Sequence, residues 1–191
     1  PAGVAKFNPE CAVMVESGGT DLQRGAALAA AYAAAKLLTP AGGALSSSNR
    51  ASVIIPPGQY KMTTTLLVDT NFVDLIALVP EKGGARLHTD DDSSGSPVSL
   101  TNYRPGSTVV YADAISVTPV VQTATDVRML GFTIAQLYAG AIDAGLSKEQ
   151  RTWYGLFINA VNTPSRYDSM YFFSRWVTSS NPTDPSNWHH R

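Results

Sequence analysis

The sequence predicts an all-β fold: a solenoid of about three stacked coils of parallel strands, with an alanine-rich helix covering its N-terminal end. Three observations lead there. Charged residues are only 15% of 191, while Ser and Thr together number 35; such a composition suits strands and turns better than helical bundles, whose outer faces need Lys and Glu. Short β-branched runs recur in pairs, each pair joined by a short polar turn and an Asp. A single stretch reads convincingly as helix, and it precedes the first pair, where an exposed end of stacked strands would need covering.

Taken in order, residues 11–15 give a first strand signal around Cys11. Thr20 or Asp21 then serves as N-cap for a helix over residues 22–38, dominated by Ala, the best helix former. Leu22, Ala26, Ala29, Ala30 and Ala33 are expected on its buried face, a narrow strip of small side chains suited to close packing. Thr39-Pro40-Ala41-Gly42-Gly43 ends the helix, and residues 44–50 form a polar loop.

The texture changes after Ala51. Residues 52–55 are β-branched and stop at Pro56-Pro57-Gly58, and residues 60–68 carry a second strand signal rich in Thr and Leu. Asp74, Asp126 and Asp168 then each head a strand-like run (74–78, 126–130, 168–172), preceded by runs at 65–68, 114–117 and 155–158. Intervals of 52 and 42 residues between these aspartates are absorbed by loops 80–111 and 135–153. Consecutive apolar residues in the strands fit coils buried on one side and packed beneath loops on the other. The chain thus divides into an N-terminal segment with the helix (1–50), the coils with their loops (51–174) and a tail (175–191). An irregular β-sandwich and a mixed α+β domain are the alternatives.

Thr20-Asp21-Leu22-Gln23 opening the helix, and Val53-Ile54-Ile55-Pro56-Pro57-Gly58-Gln59-Tyr60 after it, resemble the N-terminal region of pectate-lyase-superfamily chains. Asp74 to Leu78, followed by Gly83-Gly84, looks like that superfamily's first turn of coil. The similarity covers about residues 20–87 and, more weakly, 113–174. It implies a right-handed parallel β-helix, a scaffold shared by polysaccharide lyases, polygalacturonases and phage tailspikes, so it does not fix function. The Asn-Thr-Asp, Asp-Asp and Arg-x-Lys set of polygalacturonases is missing. So is a recognisable acidic calcium cluster of the pectate-lyase kind.

If the coils align, Asp74, Asp126 and Asp168 sit on equivalent turns, separated by the roughly 4.8 Å spacing of neighbouring strands. Carboxylates that close must accept backbone N–H bonds, bind a cation or shift a pKa. Paired carboxylates also serve glycoside hydrolysis, which makes these three the catalytic candidates. A turn Asp that ties down its own backbone is the plainer reading. Asp90, Asp91 and Asp92 form the most acidic run and would be the calcium candidates, the only cofactor the sequence suggests, although their spacing fits no EF-hand and no bidentate Glu follows. His88, His189 and His190 lack further placed ligands. Cys11 lies in an apolar run, where cysteine is usually an inert core residue.

Tyr103, Tyr111, Tyr138, Trp153 and Tyr154 lie in or beside the long loops and are the glycan-contact candidates, since aromatic faces stack on sugar rings. A net charge of −1 without a basic block argues against nucleic acid. No window approaches the roughly 20 apolar residues of a membrane helix. The expected function is a non-catalytic structural or adhesive module of an extracellular or virion assembly, contacting glycans and meeting a second copy or a continuation at its open end. A polysaccharide lyase or glycosidase acting through the coil aspartates is the alternative.

Overall fold

The structure, a computed structural model, describes residues 10–79, 106–114, 117–136, 156–158 and 165–174. Its helix, α1 (Asp21–Ala35), begins with a capping box. Thr20 Oγ1 accepts from the Gln23 N–H at 3.3 Å, and Gln23 Oε1 accepts from the Thr20 N–H at 2.8 Å, so two backbone donors without intrahelical partners are satisfied reciprocally. Pro40 opens a single 3-10 turn (Pro40–Gly42) that stops any continuation.

The expected helix face is corrected. Gly25, Leu28, Ala31, Tyr32 and Ala35 are buried, whereas Ala26, Ala30 and Ala33 are exposed, Ala29 is half-buried, and Leu22 is exposed. In an alanine run every face is apolar, so the bulkiest pair decides. Leu28 and Tyr32, four residues apart, bury far more surface together than Leu22 with four alanines.

Twelve strands occupy the described residues: β1 (Ala12–Met14), β2 (Ala51–Ile55), β3 (Gly58–Lys61), β4 (Leu66–Val68), β5 (Val73–Ala77), β6 (Thr108–Ala112), β7 (Val120–Gln122), β8 (Arg128–Leu130), β9 (Thr133–Gln136), β10 (Leu156–Ile158), β11 (Arg166–Asp168) and β12 (Tyr171–Ser174). They form three sheets, ordered β1-β2-β5-β8-β11, β4-β7-β10 and β3-β6-β9-β12. Every strand pairing is parallel.

The register stacks like on like. Val53 pairs with Leu75, Leu75 with Met129, and Met129 with Tyr167. Tyr60 pairs with Val110, and Val110 with Ile134. Side chains from all three sheets meet in one core, which also takes in Leu28, Ala31, Tyr32 and Ala35 of α1. Among the strands, α1 packs most extensively on β3, and also meets β1 and β2.

These observations correct the expected fold class. The chain is not an all-β right-handed parallel β-helix of about three coils: it combines a helix, whose side chains belong to the common core, with parallel sheets of five, three and four strands in an α/β-like arrangement. The helix is a packed layer because Leu28 and Tyr32 reach into the strand core. Individual segments shift too. Residues 60–68 hold two strands, β3 and β4, rather than one. Half of the expected run at 114–117 lies outside the described residues; the Val117 N–H donates to the Ala114 carbonyl at 3.1 Å, and β6 and β7 lie on either side.

Candidate functional site

The most concentrated group of charges is built around Arg50, the residue just before β2. Its Nη2 and Nε donate to Asp74 Oδ1 and Oδ2 at 2.5 and 2.8 Å, a bidentate fork. Its Nη1 reaches Asp126 Oδ1 at 2.8 Å. Asp74 Oδ1 also accepts the Arg128 N–H at 2.9 Å. The Arg50 and Asp74 side chains are only 10% and 4% exposed, so the pair is nearly desolvated. The hydrogen bond to Asp74, followed by the bond to Asp126, outweighs the opposing effect of burial and raises the Arg50 pKa above its ordinary value.

Phe72 completes the cluster. Its ring lies under the guanidinium, 5.4 Å from the Arg50 Cζ to the centroid. Phe72 has φ 65°, a conformation that bulky residues rarely adopt. Two backbone bonds hold it there: its N–H donates to the Asp126 carbonyl at 2.7 Å and its carbonyl accepts from the Ala51 N–H at 2.9 Å. Arg50 thereby ties β2, β5 and the approach to β8 together.

The three aspartates are therefore not one ladder. Asp126 lies level with Phe72, whose N–H it receives. Asp74 is the second residue of β5, one before the Leu75–Met129 pair. Asp168 ends β11 and pairs with Leu130, which pairs with Ile76. Each Asp is displaced by about two residues from the next in the register of sheet β1-β2-β5-β8-β11. Asp168 is 52% exposed and ion-paired with Arg166 at 3.0 Å. The arrangement brings Asp74 and Asp126 together on one cation and leaves Asp168 apart.

A second polar group lies where α1 meets β3 and β6. Arg24 pairs with Asp21, and its Nε donates to the Gln59 carbonyl at 2.8 Å. Tyr111 donates its hydroxyl proton to Asp21 Oδ2 at 2.9 Å, and Lys61 pairs with Asp113. Tyr111, expected to face a glycan, is instead buried and fixed to the helix. Tyr103, Tyr138, Trp153 and Tyr154 lie outside the described residues, as do Asp90, Asp91, Asp92, His88, His189 and His190. Among the described residues no group of three or more His, Cys, Asp or Glu is placed to hold a metal ion, and no helix is long and apolar enough to cross a membrane.

Two further buried ties complete the polar interior. The Tyr32 hydroxyl accepts the Asp69 and Thr70 N–H groups at 3.0 and 3.1 Å, anchoring α1 to the turn after β4. Gln122 ties its own segment to the start of β11 with three side-chain bonds: its Nε2 donates to the Ser165 Oγ and the Ala124 carbonyl, and its Oε1 accepts the Tyr167 hydroxyl at 2.6 Å.

Burial is the largest cause raising the pKa of Tyr32, Tyr111 and Tyr167, with Asp21 next for Tyr111; hydrogen bonds partly offset it for Tyr32 and Tyr167. The sign follows. A phenol raised above its unfolded value of 10.0 gives stability that is complete below that pH and lost as pH rises through the folded pKa. Urea midpoints are expected to fall between about pH 9 and pH 11. Midpoints that hold or rise over this window would contradict the assignment.

Sequence reasoning missed Arg50 entirely, although it is the cation that organises two of the singled-out acids. One signal was available: Arg50 stands directly before the buried run Ala51–Ile55 in a chain with few charges. Comparison of the chain with family models, with curated proteins and with solved structures found no match.

Proposed function

We propose that this chain is a non-catalytic structural or adhesive module of an extracellular or virion assembly, one that meets glycans through residues outside its core. The observation that carries the reading is the use of its carboxylates. Asp74 gives both oxygens to Arg50 and one also to a backbone N–H, and Asp126 shares the same guanidinium. A general acid or nucleophile needs its oxygen free to reach substrate; these oxygens instead join strands. The resemblance of residues 20–23 and 53–60 to pectate-lyase-superfamily chains, which include phage tailspikes, also supports an assembly role. Tyr103, Tyr138, Trp153 and Tyr154 remain the glycan-contact candidates.

The experiment is incubation with uronate polymers, with and without calcium, following unsaturated product and reducing ends, alongside binding to immobilised glycans. Binding without turnover is expected. Turnover abolished by Asp74→Asn or Asp168→Asn would overturn the reading in favour of a polysaccharide lyase or glycosidase.

A further inference from the structure

We propose that two copies of this chain associate end to end through β11, with the two β11 strands antiparallel about a two-fold axis at Tyr167. The inference rests on the structural-module reading above and names its partner. Strands β10, β11 and β12 are each last in their sheet, so among the described residues the three sheets end together. At the opposite end α1 lies against β1, β2 and β3. A terminal strand offers unpaired backbone groups to another chain. The sequences of β10 and β12, Leu156–Ile158 and Tyr171–Ser174, contain none of the Lys or Pro residues that commonly protect such an edge.

Strand β11 specifies how the second copy would pair. The Arg166 N–H donates to the Val127 carbonyl at 2.9 Å, and the Asp168 carbonyl accepts the Gly131 N–H at 3.0 Å, both toward β8. Backbone groups alternate along a strand, so the Tyr167 N–H and carbonyl point toward the outer edge. Two copies meeting there in antiparallel sense exchange two hydrogen bonds between their Tyr167 residues. Arg166 then stands opposite the partner subunit's Asp168, and Asp168 opposite the partner subunit's Arg166. These flanking positions are non-hydrogen-bonded pairs, where facing side chains come closest.

The strand Arg166–Asp168 is therefore self-complementary in charge. Within one copy the same residues pair at 3.0 Å while 70% and 52% exposed, an arrangement that contributes little and is readily exchanged. Head-to-tail stacking gains no such match, because β1 (Ala12–Met14) carries no charge to answer either residue. A contact that uses the same strand in both partners closes at two copies and builds no filament.

The test is the mass in solution of wild type, Arg166→Asp, Asp168→Arg and an equimolar mixture of the two variants, measured by sedimentation with circular dichroism confirming the fold of each. Wild type is expected at twice the chain mass. Each variant alone puts like charges opposite each other at both positions and is expected to associate about tenfold more weakly or worse. In the mixture every introduced charge again faces its opposite, and the pair re-forms. A monomeric wild type, a polymer, variants that associate like wild type, or a mixture that fails to recover would each overturn the proposal. The outcomes are separable from those of the functional reading: a monomer that turns over no polysaccharide removes the dimer alone, whereas turnover by a dimer removes the module reading alone.

Discussion

Replacing Arg50 with methionine is expected to destabilise the protein by about 3–5 kcal/mol, the usual cost of removing one partner from a buried ion pair. Methionine keeps much of the side-chain length but leaves Asp74, whose side chain is 4% exposed, without a counter-charge. The Arg128 N–H is then the sole donor remaining to Asp74 among those described here. Asp126 loses its side-chain partner, and the Phe72 ring loses the cation above it while keeping φ 65°. Arg50→Lys should fall between, because an ammonium cannot supply the two parallel bonds of the fork. The control is Arg166→Met, unfolded at a concentration low enough to keep the chain monomeric, where it breaks only a solvent-exposed pair and should hardly move the unfolding midpoint. Urea unfolding of the three variants checks the order; a loss below about 1 kcal/mol for Arg50→Met would show that the cluster contributes little.

Gly25→Ala is expected to destabilise by about 3 kcal/mol or more, against the direction that helix propensity alone suggests. In an unpacked helix the change would gain roughly 1 kcal/mol. Here a Cβ at position 25 would lie 1.9 Å from the Lys61 carbonyl oxygen and 2.6 Å from its carbon. Both are backbone atoms of β3, the strand on which α1 chiefly packs, so no side-chain rotation relieves the overlap. The helix must lift, and Leu28 and Tyr32 lift with it, loosening the Tyr32 anchor on Asp69 and Thr70. Thermal unfolding reads the sign directly: a higher midpoint for Gly25→Ala would mean that α1 does not seat as closely as described.

How much of this was legible in the sequence depends on how local each signal is. The N-cap could be narrowed to Thr20 or Asp21, of which Thr20 is the cap, and the helix placed, because capping residues and alanine content act within one turn. The helix face could not, because an apolar run of small residues leaves the choice to contacts with β3 made far along the chain. Strands β2, β5 and β10 fell close to their expected places, since β-branched and apolar runs bounded by turn residues mark them. Strand β9 went unseen because Thr133-Ile134-Ala135-Gln136 is short and follows β8 after only Gly131 and Phe132, with Gly131 at φ 78°. Asp74 and Asp126 were singled out from their positions before apolar runs. Their common partner lies 24 and 76 residues away in sequence, a separation no local pattern encodes. Tyr111 illustrates the converse: a tyrosine beside a long loop resembles a surface contact until Asp21, on the helix 90 residues earlier, is seen to accept its hydrogen bond.

The claim on which the functional reading turns is that Asp74 serves Arg50. A double-mutant cycle between Arg50→Met and Asp74→Asn, measured by urea unfolding, tests it most directly. The expected coupling is about 2 kcal/mol or more, with the double variant losing much less than the two single losses combined. Additivity within about 0.5 kcal/mol would contradict the account and return Asp74 to the residues available for chemistry.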